Sequence, residues 1–169
     1  MTTWCEPGDL LIYSKNPDFF DKLVDLGEEL EDGVHKVEVY HIAVALDRYK
    51  KIEALTTDVA VDSIDYGNFV ICRPPYDPDN LKEALRWALT QEGKPYGWLG
   101  VIDQGLRDIS GGLLHFPKWI MIRTNNRWPY CSWLTNRITH RAGWTDVPKW
   151  PPPSPEDIWL RAKAFLLKG

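Results

Sequence analysis

The stretch YHIAVALDRYKKIEAL, residues 40–55, decides how this chain reads. Two runs rich in β-branched and apolar residues, Val37 to Leu46 and Lys51 to Leu55, flank the polar stretch Asp47-Arg48-Tyr49-Lys50, which is the pattern of a β-hairpin. A loop of Asp47 to Tyr49 centred on Arg48 predicts that Ala43 pairs with Glu53 and His41 with Leu55. In that register Glu53 shares the face of His41 and lies diagonal to it, within reach of a long carboxylate. A slip of one residue would turn Glu53 away. Ala43 and Ala45 lie on the face of His41 and are small enough to let a helix dock closely there.

Further elements are expected on either side of the hairpin. GDLLIY, residues 8–13, reads as a buried strand opened by a Gly-Asp turn, and Asn68 to Arg73 as another that ends at Pro74-Pro75. Asn16-Pro17-Asp18 supplies a cap, a proline and an acid for a helix whose inner face is marked by Phe19, Phe20, Leu23, Val24 and Leu30, up to Gly33. Its many acids read as a solvated outer face. Asp79 or Asn80 is expected to cap a helix with apolar positions Leu81, Ala84, Leu85, Ala88 and Leu89, ended by Gly93. From Tyr96 to Ile122 the expectation is a helix through Leu99, Ile102, Leu106 and Ile109, a loop at Gly111-Gly112, then a short strand from Trp119 to Ile122. Pro129 precedes a helix from about Cys131 to His140, and Ser154-Pro155 with Asp157 is a capping-box start for a C-terminal helix.

The chain has 169 residues, 44% of them hydrophobic, which suits one domain over residues 1–169 with residues 150–169 appended to its core. Its net charge is −4 and its basic residues are scattered, so the footprint of a nucleic-acid binder is missing. No stretch approaches the ~18 apolar residues of a membrane span, and the start MTTWCEPGDLL lacks the basic and apolar regions of a signal peptide. The expected location is the cytoplasm, or delivery by a phage or virion. Nine tryptophans, eight of them from Trp87 onward, read as core and rim packing or as the lining of a groove.

Three cysteines, Cys5, Cys72 and Cys131, leave at least one thiol free, and no close Cys and His spacing suits a metal. Neither a metal nor a cofactor is expected. A thiol becomes a good nucleophile where its thiolate is stabilised, and Cys131 falls in the first turn of a predicted helix, where unpaired N–H groups do so. Cys72 lies inside an apolar strand and reads as a small buried hydrophobe. A thiol nucleophile needs an imidazole and a third group to orient it. Of the four histidines, His35 precedes a strand, His115 sits in a loop and His140 ends a helix near its C-terminal carbonyls. His41 is the candidate base, with Glu53 as its partner.

Taken in order, GDLLIY (8–13), YHIAVAL (40–46), KKIEAL (50–55), GKPYGW (93–98) and YCSWLTNRI (130–138) resemble the circularly permuted branch of the NlpC-type papain-like superfamily, the YiiX-like hydrolases. In that branch the histidine strand precedes the cysteine helix, as here. The resemblance implies an α+β, permuted papain-like fold, in which a small, barrel-like antiparallel sheet carrying His41 packs on helices that include the one carrying Cys131. It implies a Cys131, His41 and Glu53 triad, with Tyr96 and Tyr130 near the cleft. Where the family often has a small or acidic residue, this chain has Trp133, a third candidate for contact with substrate. The implied activity is hydrolysis of an amide through an acyl-enzyme, first in a peptidoglycan-type peptide. The alternatives are a fatty-acyl hydrolase or acyltransferase of the same fold, and a non-catalytic module that binds through its tryptophans.

Overall fold

The computed structural model describes residues 4–14, 39–66 and 69–167. The helix expected from Asn16 to Gly33, and His35, lie outside the described residues. The chain is α+β. Five strands, β1 (Leu10–Ser14), β2 (Val39–Ala45), β3 (Lys50–Ala54), β4 (Val59–Ser63) and β5 (Val70–Cys72), form an antiparallel sheet in the order β4-β3-β2-β1-β5. Among the described residues five helices follow: α1 (Pro78–Leu89), α2 (Trp98–Ser110), α3 (Lys118–Arg127), α4 (Cys131–Arg141) and α5 (Pro155–Ala162). The sheet is not closed into a barrel, and β4 and β5 are its edges. The chain just after α5 runs along β5, where Leu167 N donates to Ile71 O and Arg73 N donates to Phe165 O, both at 2.9 Å. That pairing covers backbone groups an edge strand would otherwise leave open.

Within the hairpin, Val44 pairs with Ile52 and Ala45 with Lys51, the register expected from the sequence. Alternation along the strands then sorts the sheet into two faces. Leu10, Ile12, Ile42, Val44, Ile52 and Ala54 enter the main core beneath the helices, with Leu134 and Ile138 of α4. Leu11, Ala43, Ala45 and Ile71 form a second cluster with Cys5. Ala43 and Ala45 therefore do not make room for α4, because the branched residues Ile42 and Val44 carry that contact.

Three local expectations are corrected. Asp77, not Asp79 or Asn80, caps α1: its side chain accepts from Asn80 N at 2.9 Å, because Pro78 occupies the first helical position. Trp119 to Ile122 is not a strand but part of α3, where Met121 and Asn125 are buried one turn apart after Pro117 starts the helix. β4, for which no strand was expected, pairs with β3 from Ala54↔Val59 to Lys50↔Ser63. Its apolar run is short, and the pairing of its backbone, more than its side chains, makes it a strand.

The segment containing α4 is the most deeply buried helix, with Cys131 to Asn136, Ile138 and Thr139 all inside. Its buried polar side chains find partners in the proline-rich stretch. Ser132 Oγ donates to Pro153 O at 2.8 Å, and Asn136 Nδ2 donates to Pro148 O at 3.1 Å. The capping box expected at Ser154 and Asp157 is present, and α5 adds Ile158, Trp159 and Ala162 to the main core. Residues 147–162 are thus strapped onto the cysteine helix.

Candidate active site

His41 sits beside an irregularity in the sheet. Tyr13 pairs with His41 but Ser14 pairs with Val39, so Tyr40 is an extra residue in β2. Such bulges bend a strand and re-aim the neighbouring side chain. The His41 side chain is 16% exposed, and its Nε2 donates to Oε2 of Glu53 at 2.7 Å. With Nε2 engaged, Nδ1 is the nitrogen left for another partner. Cys131 is the other group whose hydrogen bond and charge act on the imidazole. Burial pushes the imidazole pKa down, but the hydrogen bonds to Cys131 and Glu53, with the charges behind them, raise it to about 9.

The Glu53 carboxylate is 5% exposed and fully engaged. Its Oε1 lies 2.6 Å from Lys51 Nζ, which also donates to the hydroxyl of Tyr13 at 3.0 Å. Burial raises the carboxyl pKa, yet the hydrogen bonds from His41 and Lys51 outweigh burial and hold it below its ordinary value. Glu53 is therefore an anion, as a group that orients an imidazolium must be.

Cys131 opens α4, and its residue is 7% exposed. No side chain caps this helix, since the cap position is Tyr130. The first-turn N–H groups are thus left to act on charge that develops near the sulfur. Tyr96 also lies against Cys131, and its pKa is raised by burial, then by the charge and hydrogen bond of Cys131. Tyr96 is carried by the segment that joins α1 to α2. Asp58 bridges Pro95, and Tyr96 N donates to Thr57 O at 3.0 Å. Gly97 N donates to Pro129 O at 2.9 Å, which fixes this segment against the residues just before Cys131.

Two glycines permit that approach. A Cβ on Gly97 would stand 2.0 Å from Trp128 O, and one on Gly100 would stand 2.2 Å from the Tyr130 ring. Any larger residue would drive α2 away from the start of the cysteine helix.

The structure thus brings together Cys131, His41, Glu53 and Tyr96. Tyr130, next to the thiol in sequence, is 1% exposed, and its hydroxyl has no hydrogen-bond partner among the described residues. Trp133 is buried in the main core, against Trp87 at a ring separation of 6.5 Å and with Arg137 over its face. His115 is exposed, and His140 donates to Val147 O, with burial lowering its pKa. Lys51, Tyr13, Gly97 and Gly100 were not singled out from the sequence. Lys51 could have been, because it is two residues from Glu53 on the same strand face.

Among the described residues, no group of three or more His, Cys, Asp or Glu side chains is arranged to hold a metal ion, and no helix is long and apolar enough to cross a membrane. No family model, curated protein or solved structure matches the chain.

Proposed function

We propose that this protein is a cysteine hydrolase of permuted papain-like type, with Cys131 as nucleophile, His41 as general acid and base, and Glu53 as the group that orients His41. The observation that carries this reading is one imidazole held between a buried carboxylate and a thiol at an uncapped helix start. The thiolate attacks a carbonyl carbon and forms a C–S bond. The C–X bond then breaks, and the leaving group takes a proton from the His41 imidazolium. Water next attacks the thioester as His41 takes its proton, and the thiol is released. The oxyanion is met by the backbone N–H of Cys131 and by the Tyr96 hydroxyl, which touches the sulfur.

The first substrate class is an amide in a peptidoglycan-type peptide, on the resemblance of the motifs, reached from the cytoplasm or through delivery by a phage or virion. A second reading, acyl lipid, is favoured by one feature: Trp98 and Ile102, each 53% exposed, begin two residues after Tyr96. Incubation with peptidoglycan fragments and with acyl-lipid esters, read by mass spectrometry, separates the two. Under this reading one of them yields product and a transient acyl group on Cys131, and Cys131→Ala yields neither. Full turnover by Cys131→Ala would end the proposal.

A further inference from the structure

Fourteen large hydrophobic side chains are exposed among the described residues, and eight of them lie between Trp98 and Trp128. On α2, Trp98, Ile102 and Ile109 fall on one stripe with Gly105, around which a Cβ would meet nothing within 4 Å. At the tip of the α2–α3 hairpin, Leu113 is 85% exposed and Leu114 60%, directly after Gly111-Gly112. Trp119 at the start of α3 is 68% exposed and Ile122 44%. A patch so concentrated on one structural unit marks a contact surface.

Charge indicates what it contacts. The whole chain has more acids than bases, 24 against 20, yet residues 98–128 carry four bases and two acids. One of those acids, Asp103, is buried and paired with Arg107 at 2.9 Å. Lys118, Arg123 and Arg127, in contrast, are exposed on α3. Apolar side chains with tryptophans at the margins and exposed bases beside them match a surface that is apolar inside and anionic at its rim. We infer that the α2–α3 hairpin docks this protein on an anionic lipid bilayer, with Leu113 and Leu114 entering the headgroup region first. Docking also bears on the site, because α2 starts two residues after Tyr96 and so joins the docking hairpin directly to the segment that reaches Cys131. The inference does not depend on the chemistry proposed for Cys131.

The test is flotation of the full chain with vesicles of phosphatidylcholine, with and without phosphatidylglycerol, joined to quenching of tryptophan fluorescence by brominated acyl chains. Wild type is expected to float with the phosphatidylglycerol vesicles, less so as salt rises, and to be quenched. Leu113→Asp with Leu114→Asp, both exposed, is expected to lower partitioning at least about tenfold while the circular dichroism stays unchanged. Lys118→Glu with Arg123→Glu is expected to remove the preference for the anionic vesicles. Cys131→Ala is expected to float like wild type, so that failure of docking and failure of catalysis are told apart. The inference is overturned if wild type floats with neither vesicle, or if the double aspartate variant floats as well as wild type. It is also overturned if sedimentation shows a dimer that the aspartates dissolve, since a second copy then covers the patch.

Discussion

Lys51 Nζ lies 2.6 Å from Oε1 of Glu53, the oxygen that His41 does not use. One carboxylate therefore serves two cations, and His41 and Lys51 together hold it ionised. Glu53→Gln keeps the shape but removes the charge that favours imidazolium. The expected loss in kcat/KM is about 10²–10⁴-fold, the usual range for general acid and base catalysis. Lys51→Met acts on His41 through Glu53 and is expected to cost about tenfold in kcat, with little change in KM. The His41 titration, followed by NMR, should move down in both variants.

The raised pKa of His41 makes stability and activity depend on pH. Its folded value, about 9, exceeds its ordinary 6.5, so its contribution is fully present below 6.5 and is lost as pH rises through about 9. Glu53 is shifted the other way, so its contribution is present above its ordinary 4.5 and is lost on acidification. Denaturant unfolding should give greatest stability between these limits and a decline on the alkaline side. In Cys131→Ala, which removes the largest influence raising His41, that decline should begin at lower pH. The alkaline limb of kcat/KM should fall near pH 9 in wild type.

The three thiols should differ sharply in reactivity. Burial raises Cys72 to about 12 and also raises Cys5. Iodoacetamide at neutral pH should therefore label Cys131 ahead of both, as read by peptide mass spectrometry. His41→Ala should slow labelling of Cys131 and leave the other two unchanged. Equal labelling of Cys72 and Cys131 would contradict the assignment of the nucleophile.

Gly100 is expected to be irreplaceable because of what it packs against. Gly100→Ala sets a methyl group 2.2 Å from the Tyr130 ring, one residue before Cys131. Overpacking of this kind costs about 1–3 kcal/mol, measured by thermal or denaturant unfolding. Activity should fall further than that loss explains, because Tyr96 and the cysteine helix separate together. Gly105→Ala, in open space on the same helix, should be neutral or stabilising.

Local chemistry made much of this protein legible in its sequence. The turn at Asp47 to Lys50 fixed the hairpin register, and the two-residue period of the strands then placed His41 and Glu53 on one face. Ser154-Pro155 with Asp157 announced α5, and Gly111 ended α2 with a left-handed φ of 61°. These signals lie within a few residues of what they specify. Trp119 to Ile122 misled because a short apolar run fits strand and helix alike, and only burial of Met121 and Asn125 on one side distinguishes them.

Only the tertiary structure decided which residues from distant parts of the chain meet. The meeting of Cys131 with His41, the arrival of Tyr96 through the glycines at 97 and 100, and the Pro148 and Pro153 carbonyls that satisfy α4 all join segments far apart in sequence. Periodicity tells which face of an element is apolar, but it does not say which other element will cover that face. That choice is made by packing the whole core at once, which is why the helices settled on Ile42 and Val44 and not on the alanines beside His41.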